Sequence, residues 1–253
     1  MNIWWEESGS GRPVVLLHST AADGRMWDEV WEPLAARFRV IRLDFRGYGR
    51  SPLVADKPYS DAGDVAALLD ELGVGTAAVV GASGGGRVAL GLAAIRPDLV
   101  SELVLIAAAA GLDPTPELAA FGAEEDRLLE AGDVRGAAEL NAHMWLGPDA
   151  GEQARAKLVE MQRNAFELQL AADPELEFTR PEVDLAAIAA PALVVIGGHD
   201  LSYFADTGRH LVAEMPAATL LELPWAGHLP AMERPAEIAE LLIARLAADR
   251  PSV

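Results

Sequence analysis

Three stretches of this chain, residues 14–17, 77–82 and 192–197, are apolar without interruption, and a fourth, 100–107, is nearly so. Each is too short for a helix and lacks the polar alternation of a strand with one wet face. Such runs are what strands look like when both faces are covered, as in the centre of a parallel sheet. Around them the pattern changes to helical spacing. Trp27, Val30, Trp31 and Leu34 recur along 27–37; Ser60 is placed to cap a helix that runs to Leu72; and 85–95 continues as a helix until Pro97. Further strands are expected at 3–6, 39–44 and 219–223, with helices at 203–213 and 235–248. Strand and helix in regular alternation define an α/β fold, a mostly parallel sheet with helices on both faces.

The alternation stops at Gly111. From 112 to 183 no strand is evident, and three helical stretches fit instead, at 116–131, 133–144 and 152–171, with a short fourth at 182–188. The expected organisation is therefore one core, 1–111 and 184–253, carrying a helical lid, 112–183, as an insertion.

Composition narrows the class. With 253 residues, 51% of them hydrophobic, there is material for a large single core. No apolar run reaches the roughly 18–20 residues a membrane span needs. The first ten residues are acidic and carry two tryptophans, unlike a secretory signal, so a cytoplasmic protein is expected. The absence of Cys removes disulfides, thiolate catalysis and cysteine-based zinc sites, and no metal or cofactor is called for. A net charge of −19 repels polyanions, which argues against nucleic acid as a partner. The same charge disfavours anionic substrates only weakly, because the field inside a cleft can differ from the net.

The chemistry concentrates where strands should end. Gly81-Ala82-Ser83-Gly84-Gly85 lies between a predicted strand and a predicted helix. A serine on so sharp a turn needs small neighbours, and the turn lifts its hydroxyl clear of the sheet. The helix start beyond it offers free amides to an oxyanion. A serine hydroxyl needs a base to take its proton. Of five histidines, His228 follows the last strand, at the edge where Ser83 should stand. His210 falls within a helix, His143 within the insertion, and His18 reads as a tether for its own loop. An acid that holds the far ring nitrogen of His228 is also required. Asp200, after the strand 192–197, is the first candidate, and Asp113 is its competitor. The amides of Thr20, after the strand 14–17, and of Gly84 are placed to form an oxyanion hole.

These segments together resemble the α/β-hydrolase superfamily along the whole chain. The resemblance rests on residues 15–19 (Val-Leu-Leu-His-Ser), 44–51 (Asp-Phe-Arg-Gly-Tyr-Gly-Arg-Ser), 79–86, 197–200 (Gly-Gly-His-Asp) and 227–235. Among members of this size the chain resembles 3-oxoadipate enol-lactonase-like and carboxylesterase-like hydrolases. That similarity implies a seven-stranded sheet, eight at most, a small helical lid, and a Ser83–Asp200–His228 triad. It implies acyl-enzyme hydrolysis of a small-molecule ester or lactone by a monomer or homodimer. Two other classes share the scaffold: a ligand receptor that turns over slowly, and a non-hydrolytic cyclase, lyase or acyltransferase.

Departures from the pattern give further expectations. Ser19 replaces the usual glycine of the oxyanion loop. Gly84 replaces a bulkier residue after the nucleophile and should leave open space beside Ser83. Ser19, Trp27, Trp145 and Tyr203 are candidates for the substrate pocket. Phe121, Met144, Met161 and Phe166 are candidates for its apolar roof, although packing is the commoner fate of such residues.

Overall fold

A computed structural model describes residues 2–172 and 176–248. Seven strands form one sheet in the order β1-β3-β2-β4-β5-β6-β7. They are β1 (Trp5–Ser8), β2 (Pro13–Leu17), β3 (Arg39–Leu43), β4 (Ala77–Ala82), β5 (Val100–Ile106), β6 (Ala192–Gly197) and β7 (Ala218–Leu223). Only β1 is antiparallel, pairing Trp5 with Leu43 and Ser8 with Val40. This is the α/β-hydrolase arrangement expected of the sequence, with seven strands.

The uninterrupted apolar runs have a direct structural cause. Along β2, Val14 and Leu16 point into one buried cluster while Val15 and Leu17 point into another, as the period of two requires. The first cluster is closed by Trp27, Trp31 and Leu34 beside α1 (Asp28–Ala35) and by Leu242 and Leu246 of α9 (Pro235–Ala247). The second is closed by Leu68 and Leu69 of α2 (Asp61–Glu71) and by Leu90 and Leu92 of α3 (Gly84–Ile95). Ser60 caps α2, accepting from the Gly63 amide.

Between β5 and β6 the described residues form α4 (Pro116–Glu130), α5 (Val134–Trp145) and α6 (Glu152–Leu170), and no strand of the sheet. The core then resumes with α7 (Ser202–Glu214), and the short α8 (Pro230–Glu233) precedes α9. Two expectations need correction. The helix expected at 182–188 is a single 3₁₀ turn, Leu185–Ala187, capped by the Asp184 side chain. So short a segment cannot repay helix nucleation, and Pro191 bars its extension. The first strand lies two residues later than 3–6, because pairing with β3 sets its register and leaves Ile3 buried in the second cluster. No helix among the described residues is long and apolar enough to cross a membrane.

Candidate active site

Ser83 stands between β4 and α3 with φ +52° and ψ −116°. L-residues seldom adopt that backbone, and holding it costs about 1–3 kcal/mol. Its surroundings make the turn possible. A Cβ on Gly81 would lie 2.4 Å from the Gly85 carbonyl oxygen, and one on Gly85 would lie 2.4 Å from that of Leu17. Both contacts are backbone against backbone, so only glycine fits. The Ser83 amide donates to the Ile106 carbonyl at 2.8 Å, and the Ser83 carbonyl accepts from Gly86 at 2.9 Å and Ala109 at 3.1 Å. The end of β5 thus clamps the turn from the side.

His228 lies in the loop between β7 and α8. Its Nδ1 is 2.8 Å from Asp200 Oδ2, and both side chains are only 2% exposed. The other carboxylate oxygen of Asp200 accepts from the Leu201 amide at 2.8 Å. A buried carboxylate acts only as an acceptor when ionised, so Nδ1 carries the proton and Nε2 is the nitrogen left to take one. The imidazole is wedged between Phe204 and Trp145, with ring centroids 4.1 and 4.7 Å away. Its backbone amide donates to the Trp145 carbonyl at 3.1 Å. Asp113, the competing acid, is exposed and holds no histidine.

Ser83 and His228 open on one cavity of about 350 Å³, which Thr20, Trp145, Tyr203 and Phe204 also line. Helices α4, α5 and α6 form its far wall through Phe121, Trp145 and Phe166. Among the described residues no group of three or more acidic or imidazole side chains could hold a metal ion.

A strained serine at a strand-to-helix turn and a carboxylate-held histidine facing the same cavity match a known pattern, and residues 14–241 match the family model of the alpha/beta hydrolase family. The chain belongs to the α/β-hydrolase family. It is 32% identical over 258 residues to the pimeloyl-[acyl-carrier protein] methyl ester esterase of Chromobacterium violaceum, covering 97% of this chain and 98% of that one. Among solved structures it resembles a thermophilic esterase from Thermogutta terrifontis with malate bound (TM-score 0.79, 27% identity, 97% and 93% coverage). It also resembles the enol-lactonase from Burkholderia xenovorans LB400 (TM-score 0.78, 25% identity, 97% and 96% coverage).

Within this α/β-hydrolase the residues singled out from sequence fall into two groups. Ser83, His228, Thr20, Trp145 and Tyr203 meet at the cavity, and Asp200 stands behind His228. Ser19 and Trp27 do not reach it and are corrected here as pocket residues. Ser19 is fully buried, its hydroxyl accepting from the Ala21 amide at 3.0 Å, so it braces its own loop. Trp27 is also fully buried, in the cluster under α1, where its ring area is worth more as core. Of the roof candidates, Phe121 and Phe166 line the cavity, whereas Met161 packs beneath. The space expected beside Gly84 is also absent. A Cβ there would lie 2.5 Å from Thr20 Cγ2, so the threonine methyl fills that space.

His18 is the tether that its position suggested. Nδ1 lies 2.8 Å from the Ser19 carbonyl and Nε2 accepts from the Phe45 amide at 2.9 Å. Burial lowers its pKa, against the opposing pull of Asp44, so it stays neutral in the tautomer these two bonds require.

Two residues without a role assigned from sequence matter locally. Phe204 packs against His228 at a tilt but sits in a helix whose spacing alone makes it another packing residue. Glu233 is buried and accepts from the Gly227 amide at 2.8 Å and the Leu229 amide at 3.2 Å, the two residues flanking His228. Its position five residues after the histidine is the only sequence signal, and it does not distinguish a loop brace from a helix cap.

Proposed function

We propose that this α/β-hydrolase is a serine hydrolase that cleaves an ester or lactone through an acyl-enzyme on Ser83. The single observation that carries the reading is the buried 2.8 Å contact of Asp200 with His228 Nδ1, which leaves Nε2 free on the cavity that Ser83 shares.

In this mechanism Ser83 Oγ attacks the carbonyl carbon as His228 Nε2 takes its proton, and Asp200 stabilises the resulting imidazolium. The carbonyl π pair moves to oxygen, where the amides of Gly84 and Thr20 receive it; each such donor is worth about 3 kcal/mol. Collapse of the tetrahedral adduct expels the alkoxide, which takes the proton from His228. Water then repeats the sequence on the acyl-enzyme and releases the acid and the free serine. Residues 112–183 serve as a lid, because α4–α6 roof the cavity and a dry site strengthens the electrostatic terms. The esterase and lactonase names of the relatives agree with this chemistry.

Labelling with a fluorophosphonate, followed by turnover of short p-nitrophenyl esters and lactones, tests the proposal. Wild type should be labelled and active, and Ser83→Ala should be neither. Labelling without turnover, or activity that survives Ser83→Ala, refutes it.

A further inference from the structure

The walls of the Ser83 cavity are mainly apolar or neutral, and among their described residues Arg87 is the one cationic side chain. It stands four residues after Ser83 on α3, hence on the same helix face and one turn deeper. Arg87 is half-buried, and an arginine taken partly out of water commonly pairs with a carboxylate. Seventeen ion pairs are found among the described residues, and Arg87 takes part in none of them.

The charged groups around Arg87 act on it from a distance and do not pair with it. Asp61 and Arg180 share with it a second cavity of about 360 Å³, so Arg87 lines both. Asp61 attracts it and Arg180 repels it, and Asp61 forms no ion pair with it among the described residues. Glu125 is the one carboxylic acid among the described residues lining the serine side, and Asn141 donates to its carboxylate. Burial raises the pKa of Glu125, against the hydrogen bond from Asn141. Tyr48 and Tyr203 also line this side. Arg87 thus sets a positive charge in the wall of the Ser83 cavity, inside a protein of net charge −19. A low-dielectric wall makes that local charge count more than the distant net.

We infer that Arg87 is a binding residue for a carboxylate on the substrate, so that the ester cleaved at Ser83 carries a second, anionic end. The guanidinium fork matches a carboxylate in two parallel hydrogen bonds, and a substrate that brings one satisfies donors that the protein leaves unmet. This rests on the hydrolase reading for its use, but not for its test.

The carboxylate can belong to the acid or the alcohol portion, and two substrates separate these. Monomethyl adipate carries it on the acid side and 4-acetoxybutyrate on the alcohol side. Their carboxamides, methyl adipamate and 4-acetoxybutanamide, are neutral and nearly isosteric. For at least one pair, wild type should prefer the carboxylate by tenfold or more in kcat/KM, chiefly through KM. Arg87→Met should bring that ratio near one, and Arg87→Lys should keep part of it. A ratio near one in wild type for both pairs, or a ratio unchanged in Arg87→Met, overturns the proposal. Calorimetric binding of adipate to Ser83→Ala, with and without Arg87→Met, is read independently of turnover. Arg87-dependent binding without hydrolysis of any ester would keep the anion site and reject the hydrolase. Hydrolysis without charge preference would do the reverse.

Discussion

The contact between Gly84 and Thr20 gives a quantitative test of how the serine's surroundings are built. Gly84 is not among the glycines with positive φ, so alanine can adopt its backbone without strain. Its Cβ would meet Thr20 Cγ2 at 2.5 Å, Oγ1 at 3.1 Å and Cβ at 3.3 Å. Carbon atoms in contact prefer about 3.5–4.0 Å, so the methyl must move by roughly 1 Å. Overpacking of this kind costs about 1–3 kcal/mol. Thr20 is exposed on its outer side and can give way in part, which places Gly84→Ala near the lower half of that range. Thr20→Ser removes the one atom in severe conflict. In that background the alanine meets only the contacts at 3.1 and 3.3 Å, which shifts of a few tenths relieve. Alanine's preference for helix over glycine, up to about 1 kcal/mol, then makes the same substitution neutral or stabilising. Urea denaturation of the four proteins should therefore show a coupling of at least ~1 kcal/mol, and turnover of a p-nitrophenyl ester should fall in Gly84→Ala and recover in the double variant. Additivity within about 0.5 kcal/mol would mean that the two residues do not touch, and would refute the account.

Other outcomes follow from single interactions. Asp200→Asn should lower kcat by about 10⁴-fold, because the amide would hold the wrong tautomer of His228, while Asp113→Asn should leave kcat alone; steady-state kinetics of the two variants decide between the acids. Glu233→Leu leaves the Gly227 and Leu229 amides without their acceptor and should cost about 2–4 kcal/mol in chemical denaturation, with a fall in kcat as the His228 loop loosens. Burial, followed by the charge of Asp64, raises the Asp61 pKa from 3.8 to about 6. The folded protein then keeps a proton that the unfolded chain releases across that window, so Asp61 lowers stability as pH rises through it. Asp61→Asn should gain in Tm relative to wild type between pH 4 and pH 7; a difference that does not change with pH would contradict the burial.

The sheet was legible because burial on both faces leaves a mark that needs no tertiary information: apolar runs such as 77–82 and 192–197 begin and end as β4 and β6 do. The turn at Ser83 and the histidine after β7 were legible for the same reason, since each sits at a strand end. Which apolar side chain faces the cavity was not. Trp27 and Trp145 have similar helical contexts, yet one is sealed beneath α1 and the other stacks on His228, because the choice depends on how α5 lies across the sheet edge. The role of Ser19 was hidden likewise. Its hydroxyl turns inward to a backbone amide two residues on, a local bond that the residue type allows but does not announce. Gly84 read as empty space because the sequence does not show that Thr20, 64 positions earlier, fills it.

The glycines around Ser83 and the end of β5 act as one device. Two non-glycine residues in the described chain have positive φ, Ser83 at 52° and Ala107 at 45°. They are joined through backbone: Ser83 donates to Ile106 and accepts from Ala109, which bracket Ala107, and Ala107 itself donates to Val195 at 2.8 Å. Gly86 packs so closely on Ala108 that a Cβ would lie 2.5 Å from that methyl. Relaxing Ala107 would therefore disturb the hydrogen bonds that Ser83 makes on either side of it, and the close approach of Gly86 to Ala108. Strain of about 1–3 kcal/mol per residue survives only where the surroundings over-determine it, and here the backbone on both sides of Ala107 is bonded to Ser83 while Ala107 is bonded to β6. The turn that exposes the serine is thus held from β5 and β6 as well as from its own strand. The same strand end, β6, leads through Gly197 to Asp200. A Cβ on Gly197 would lie 2.3 Å from the Gly227 carbonyl oxygen, next to His228. Serine, acid and histidine are in this way registered to one another by backbone contacts between neighbouring strand ends, which fixes their geometry more tightly than side-chain packing could.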